Sequence, residues 1–129
     1  MSGTASNYFD KLCLQQTLLN FNLKLALYTN NVTPVTGSVF SDFTLCTATG
    51  YSDQTLTAGN WTFTDDTSDS YATQPTQTFT FTSSTTVYGY IIYNSSGNQY
   101  WCGELFSDGP YTFGSTGGSV VIDPKILIG

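Results

Sequence analysis

Apolar and polar positions alternate with the period of β-strands along most of the chain, and only the N-terminal segment has a helical spacing. Residues 7–19 carry apolar side chains at the spacing of a short helix, which Ser6 or Asn7 is placed to cap. From Phe21 the period becomes two, and the alternation over residues 21–28 is typical of a half-buried strand. The pattern therefore predicts one short helix followed directly by a strand.

Beyond Pro34, short β runs recur at intervals of about ten residues, separated by turn residues. Residues 86–93 are apolar on both faces, as expected of a central strand, and residues 94–98 are typical of a hairpin loop. Residues 65–77 lack clear alternation and are predicted to form a mobile loop. The predicted strands of this region are 54–56, 60–64, 77–82, 86–93, 100–106 and 119–128.

Strands at this spacing indicate an all-β fold and not one built from βαβ units. We predict an antiparallel β-sandwich or barrel of about 7–9 strands with one short N-terminal helix. A chain of 129 residues is large enough for one hydrophobic core. Residues 1–20 are expected to form an N-terminal arm that contains the helix, and residues 21–129 the β-sandwich domain.

The composition argues against an enzyme. Only 9% of the residues are charged, and the chain contains neither histidine nor arginine. Histidine is the usual proton carrier near neutral pH, and arginine is the usual clamp for phosphate and carboxylate groups. We therefore expect no catalytic residues and no cofactor. Neutral hydroxyl and amide side chains fill the exposed positions instead, and they suit a surface that another protein partly covers, although a simply solvated β surface would look the same.

The charge balance argues against nucleic acid and membrane partners. The formal net charge is -6, with nine acidic residues and only three lysines, Lys11, Lys24 and Lys125. Binding to nucleic acid or anionic lipid depends on clustered basic side chains. No segment has the length and apolarity of a membrane span, so synthesis and retention in the cytosol are expected.

The three cysteines, Cys13, Cys46 and Cys102, are widely spaced, lack a CxxC pair and have no histidine to complete a zinc site. They are predicted to be reduced thiols in the core. Without a histidine to act as general base, none of them is expected to be a nucleophile.

Two acidic features are candidates for chemistry. Asp65, Asp66 and Asp69 could gather oxygen ligands around Ca²⁺, but they lack the twelve-residue calcium loop pattern, and acidic turns are usually only solvated. Glu104 follows Trp101 closely and could be a general acid, but glycoside hydrolysis requires a second carboxylate across the sugar. We therefore expect neither a metal site nor catalysis, with Glu104 an outward strand residue.

Two tryptophans could stack on sugar rings. Trp61 and Trp101 both fall in predicted strands, where large aromatic side chains are mostly core or subunit-interface anchors. We favour the core or interface interpretation for both.

The order of motifs resembles a family of small virion proteins of tailed bacteriophages. The likeness extends from Tyr8 to Ile128 and rests on a "LALYTN" strand at 25–30, a Gly-Tyr step at 50–51, Trp61, and a "VYGY" strand at 87–90. Members of such families are associated with head decoration or with tail structures. The resemblance therefore implies a virion component and carries no active-site signature.

From the resemblance and the composition we expect a capsid decoration or cement protein, made in the bacterial host cytoplasm and located on the capsid surface. Its expected partner is the major capsid protein, and it is expected to be a homotrimer. The alternative is a tail or fibre-associated module that binds a receptor or glycan through Trp101, Tyr100 or Tyr93. Apolar residues near the two chain ends are the predicted contacts: Tyr8, Phe9, Leu12, Leu18, Leu19, Val120, Ile122, Ile126 and Ile128.

Overall fold

The described residues form one α-helix followed by eleven short strands, with short 3-10 helices at Phe40–Asp42 and Ala58–Asn60. The structure is a computed structural model, and it describes residues 3–65 and 69–128. Helix α1 spans Asn7–Leu18. The strands of the described residues are β1 (Leu23–Tyr28), β2 (Gln54–Leu56), β3 (Thr62–Asp65), β4 (Ser70–Thr73), β5 (Gln77–Phe81), β6 (Thr85–Val87), β7 (Gly89–Asn94), β8 (Gln99–Leu105), β9 (Tyr111–Phe113), β10 (Gly118–Ile122) and β11 (Lys125–Ile128).

All strand pairings are antiparallel and form a central sheet with smaller sheets around it. The central sheet has the order β2-β1-β7-β8, and a second sheet has the order β11-β4-β3. Strands β5 and β10 form one pair, and β6 and β9 form another. The arrangement is sandwich-like, and the described strands do not close into a barrel. The predicted all-β fold with one N-terminal helix is therefore confirmed.

Helix α1 begins where the sequence predicts a cap. The Ser6 hydroxyl accepts a hydrogen bond from the amide of Phe9 at 3.1 Å, which satisfies one of the free amides of the first turn. Leu14 and Leu18 are buried in the main core, and the helix packs against β3 and β4. The Ser70 hydroxyl of β4 donates to the backbone carbonyl of Asn7. The helix is thus part of the domain core, and the expected division at residue 20 does not correspond to a break in packing.

The central sheet is buried on both faces. Leu25 and Leu27 of β1 belong to the main core cluster, whereas Ala26 and Tyr28 belong to a second cluster. The expectation of a half-buried β1 is therefore wrong. The reason is that the chain between β1 and β2 folds back over the sheet and brings Phe43 against the Tyr28 ring, with 5.0 Å between the ring centroids. Strand β7 is buried along almost its whole length, as predicted for a central strand.

Two predicted strands are each divided in the structure. The run 86–93 is broken at Tyr88, whose amide bonds to the carbonyl of Tyr28 at 2.9 Å. The run 119–128 is broken at Asp123 and Pro124, where proline has no amide hydrogen to donate to a ladder. Together with β4 and β9, which the pattern did not predict, these breaks raise the number of strands above the expected 7–9.

The predicted mobile loop at 65–77 contains strand β4. Its residues Ser70 and Ala72 are fully buried, and it pairs with both β3 and β11. Small and hydroxyl side chains conceal this strand in the sequence, because they do not produce an apolar alternation. Residues 66–68 of the same segment lie outside the described residues.

Gly89 lies at a close approach of two strands. A Cβ atom at this position would overlap the backbone carbonyl of Glu104 and the Tyr28 hydroxyl. Only glycine therefore allows β7 to begin beside β8 at this point, which gives a physical reason for glycine in the sequence Val87-Tyr88-Gly89-Tyr90.

Candidate interaction surface

Helix α1 is apolar on two sides. Its inner side carries Leu14 and Leu18, which are 7% and 1% exposed. Its outer side carries Tyr8 and Phe9, which remain 59% and 57% exposed, and the exposed Leu12. A surface helix normally presents charged and polar residues to water. This helix therefore leaves a hydrophobic stripe without a partner within the described part of the chain.

An apolar groove of about 250 Å³ continues from this stripe. It lies between α1 and two edge strands, β8 of the central sheet and β11 of the second sheet. Cys13 joins the stripe to the groove, because it lies one turn after Phe9 on the same side of the helix. The groove is lined by Cys13, Leu14, Thr17, Leu18, Trp101, Cys102, Ile126 and Ile128. We call the outer side of α1 together with this groove the apolar surface.

The predicted contact residues divide into two groups. Tyr8, Phe9, Leu12, Leu19 and Ile128 are exposed, and Ile126 is half-buried at the groove. Leu18, Val120 and Ile122 are instead buried in the main core, so the expectation that they contact a partner is wrong.

The misplacement in β10 is a matter of strand face. Val120 pairs with Phe79 and faces the core, which leaves the intervening Val121 59% exposed. In β11, Leu127 is 58% exposed although the sequence analysis did not select it. Strand alternation shows which residues share a face but not which face is covered, so the pattern alone had no means to choose.

The two tryptophans occupy different environments. Trp61 is buried in the main core, and its indole Nε1 finds no hydrogen-bond acceptor among the described residues. Trp101 lines the apolar groove, and its ring meets that of Phe21 edge-on with centroids 5.3 Å apart. The indole nitrogen of Trp101 donates to the Gln99 side-chain oxygen at 3.1 Å. Trp61 is thus a core residue, whereas Trp101 lines the apolar groove.

The cysteines are free thiols in three environments. Cys46 is buried in the core, as predicted. Burial, aided by the negative charge of Glu104, raises the pKa of the Cys102 thiol to about 12 and keeps it protonated at neutral pH. Cys13 is exposed beside the groove, so the prediction of a core thiol is wrong for this residue.

Of the three aspartates considered as metal ligands, Asp65 forms an ion pair with helix α1. Asp65 accepts from the Lys11 ammonium group at 3.3 Å, a partly exposed pair that stabilises the fold by about 1 kcal/mol or less. Asp66 lies outside the described residues. No group of three or more metal-ligating side chains occurs in the part of the chain that the structure describes.

Glu104 lies in a shallow groove that Asp108 and Asp123 also line. Each of the three carboxylates accepts a hydrogen bond from a hydroxyl group. Tyr90 donates to Glu104 at 3.1 Å, Thr76 donates to Asp123 at 2.5 Å, and Tyr111 donates to Asp108. Burial and the Glu104 charge raise the pKa of Tyr90 above its ordinary value, so its hydroxyl remains a donor. These bonds fix side chains at the sheet edge and give Glu104 a structural role, as its predicted outward position indicates.

A carboxylate between two tyrosines was not predicted from the sequence. Asp53 accepts from the Tyr51 hydroxyl at 2.7 Å and from the Tyr93 hydroxyl at 2.5 Å. The Tyr51 oxygen in turn accepts from the amide of Leu27 at 2.9 Å. Burial is the main cause that raises the pKa of both tyrosines, and the hydrogen bonds to Asp53 add to it. The network ties the residues before β2 to β1 and β7, and no local pattern reveals a contact between positions forty residues apart.

The fold and the surface together define an all-β protein that presents a continuous apolar surface and an exposed edge strand on each side of a groove. No protein-family model, no curated protein and no solved structure matches this chain. Among the described residues, no helix combines the length and the apolarity needed to cross a bilayer.

Proposed function

We propose that this protein is a structural component of a bacteriophage virion, a decoration or cement protein that binds the outside of the capsid shell. In this role it bridges neighbouring major capsid subunits and acts as a symmetric homotrimer. The motif order described for residues 8–128 supports the virion assignment, and the scarcity of charged groups supports a binding role without catalysis.

The observation that carries this proposal is the apolar surface. Tyr8, Phe9 and Leu12 expose large apolar side chains along one side of α1, and the groove beside them continues the same chemistry. Contiguous apolar patches of this kind mark protein contact sites, because leaving them in water costs free energy. Coverage by a capsid subunit would remove this cost.

A cement protein stabilises a shell by mass action. It binds the assembled lattice and not free subunits, so disassembly must also break its contacts. Several copies held in one symmetric oligomer strengthen weak individual contacts. The scarcity of charged side chains in the chain favours this arrangement, since covering neutral groups costs less desolvation than covering lysine or glutamate.

Copy number tests the proposal. Purified particles of the phage that encodes the chain are separated on a gel and quantified against the major capsid subunit. A decoration protein is expected in amounts comparable with that subunit. A scarce band would favour the alternative, a tail or fibre-associated module, and absence from the particle would contradict both.

Variants of the helix test the surface itself. Phe9→Ser and Leu12→Ser are expected to weaken binding to undecorated shells, measured by co-sedimentation, because both side chains lie in the apolar surface. Val35→Ser is the matched control, since Val35 is 62% exposed but lies outside that surface. Equal binding by all three variants would contradict the proposal that the apolar surface contacts the shell.

A further inference from the structure

A second groove, polar in character, lies where the segment between β1 and β2 meets the turn between β7 and β8. Its volume is about 360 Å³, within the range of small-ligand sites. None of the described residues that line it is charged, and they include Ser38, Phe40, Ser96, Asn98, Gln99 and Tyr100. This polar groove therefore combines two aromatic rings with neutral hydrogen-bonding groups.

The turn that forms one side of the groove has a defined conformation. Asn94 and Gln99 are paired across its base, and the Asn94 side-chain oxygen accepts from the amide of Ser96 at 3.1 Å. Gly97 and Asn98 have positive φ angles of 81° and 47°, a left-handed conformation that these two residue types tolerate best. The backbone at Asn98 therefore has a defined conformation in this turn.

The aromatic rings are supported from behind. Tyr100 stacks on Phe43, with centroids 5.1 Å apart and planes 22° apart. Phe40 packs against Tyr93 with centroids 4.9 Å apart. Because the second core cluster holds both rings, they line the groove without a large further loss of side-chain entropy on binding.

Several polar groups of the groove lack partners within the described residues. The Tyr100 hydroxyl and the Asn98 amide make no hydrogen bond there, and Gln99 uses only its side-chain oxygen, which accepts from Trp101. The remaining amide and hydroxyl groups can both donate and accept. They are thus available to a ligand rich in hydroxyl groups.

We propose that the polar groove binds a neutral saccharide. Sugar rings present apolar C–H faces that pack on aromatic side chains and hydroxyl groups that bond to amides, and this groove offers both. An ionic ligand would lose its hydration without gaining an opposite charge, which disfavours it here. The inference goes beyond binding to a capsid shell. On a particle that carries many copies, weak single sites would act together through multivalency.

The test is a titration of the isolated, ¹⁵N-labelled protein observed by NMR. The probes are methyl α-D-glucopyranoside, methyl β-D-galactopyranoside, methyl α-D-mannopyranoside and N-acetylglucosamine, each added to about 50 mM, well above the millimolar dissociation constants of weak sites. Galacturonate is the charged comparison. At least one neutral sugar is expected to shift the amide signals of Gly97, Asn98 and Gln99 in a saturable manner.

Two variants and a matched control test whether the sugar binds in the polar groove. Asn98→Gly removes the amide but keeps the left-handed turn, and Tyr100→Phe removes only the hydroxyl. Each is expected to raise the dissociation constant about fivefold, which is the effect of losing one hydrogen bond. Tyr71→Phe is the control, because Tyr71 lies on β4 with its ring under Lys125, outside the polar groove.

Three results would overturn the proposal: no saturable shift with any neutral sugar, equal affinity in all variants, or preference for galacturonate. None of these results involves capsid binding. Failure of the saccharide proposal is therefore distinguishable from failure of the proposed function.

Discussion

The two faces of the central sheet are packed by different chemistry, and each supports a different surface. The main cluster is largely aliphatic and lies behind the apolar groove, whereas the second cluster contains Tyr28, Tyr93 and Phe43 and lies behind the polar groove. The boundary between the two surfaces falls between adjacent residues of β8. Tyr100 lines the polar groove and Trp101 the apolar groove.

This contrast shows how one edge strand can contribute to two surfaces. The pairing of β7 with β8 shifts register at this point, between Tyr100 and Cys102, and such an irregularity redirects side chains, so a single strand can contribute to two surfaces. The tyrosine-rich cluster can support a polar surface because its two buried hydroxyl groups are hydrogen-bonded, that of Tyr28 to the Val32 carbonyl at 2.8 Å and that of Tyr93 to Asp53. The aliphatic cluster lies behind a surface that is lined mainly by apolar side chains.

Gly89→Ala is expected to have the largest effect, because it removes both surfaces together. The added Cβ overlaps the backbone of Glu104 and the Tyr28 hydroxyl, so β7 and β8 must separate. The free energy of unfolding, measured with urea, should fall by more than about 3 kcal/mol. Gly59→Ala is the matched control, with nothing within 4 Å of the new Cβ, and should change stability by less than about 0.5 kcal/mol. Equal effects would contradict the close approach at Gly89.

Leu18→Ala and Leu19→Ala separate the two sides of helix α1. Leu18 is 1% exposed and Leu19 is 51% exposed, although they are neighbours. Leu18→Ala should lower the free energy of unfolding by about 3 kcal/mol, since it leaves a cavity in the main cluster. Leu19→Ala should leave stability within about 0.5 kcal/mol of the parent but weaken binding to shells. A large stability loss from Leu19→Ala would show that the outer side of the helix is part of the core.

Tyr93→Phe tests the second cluster by itself. It removes the hydrogen bond to Asp53 while keeping the ring that packs on Phe40. The free energy of unfolding should fall by about 1 to 2 kcal/mol, as expected for a bond to a carboxylate, and the fall should be visible in urea titrations. Shell binding should be unchanged, because the apolar groove belongs to the other cluster. Lost shell binding with unchanged stability would reverse the assignment of the two clusters.

Alkaline pH should lower the stability of the tyrosine-rich cluster gradually, because the ionisation of Tyr28 is less favourable in the folded protein than in the unfolded chain. Burial raises the pKa of Tyr28 to about 12, from an ordinary value near 10.0. The unfolded chain therefore loses this proton first, so the contribution of Tyr28 to stability is complete below pH 10 and declines as the pH rises from 10 to 12. Tyr28→Phe should make the decline in Tm over that interval shallower. An identical decline in both proteins would contradict the shifted pKa.

Local signals in the sequence are sufficient for α1 and for the β7–β8 hairpin. A cap at Ser6, a helical spacing and a turn between apolar runs are all contained within a few residues. Strand β9 is different, since its three residues follow a Gly-Pro turn and pair only with a strand far earlier in the chain. The cover over the second face of β1 is likewise a long-range contact, and no alternation within β1 could indicate it.

The candidate surface was predictable only in part, for the same reason. Tyr8, Phe9 and Leu12, which the sequence analysis names as contacts, are exposed in the structure, because a helix with apolar residues on every side must leave some of them outside. The exposed face of β10 depends on its pairing with β5, which the pattern does not specify. The polar groove depends on two segments about sixty residues apart, so its residues gave no signal as a group.

Cryo-electron microscopy of intact particles tests the central claim most directly. The account predicts density for this chain on the outer shell at a copy number comparable with that of the major capsid subunit, and the side of α1 that carries Phe9 should be buried against a capsid subunit. Particles without such density, or density in which the Phe9 side of the helix faces solvent, would contradict it.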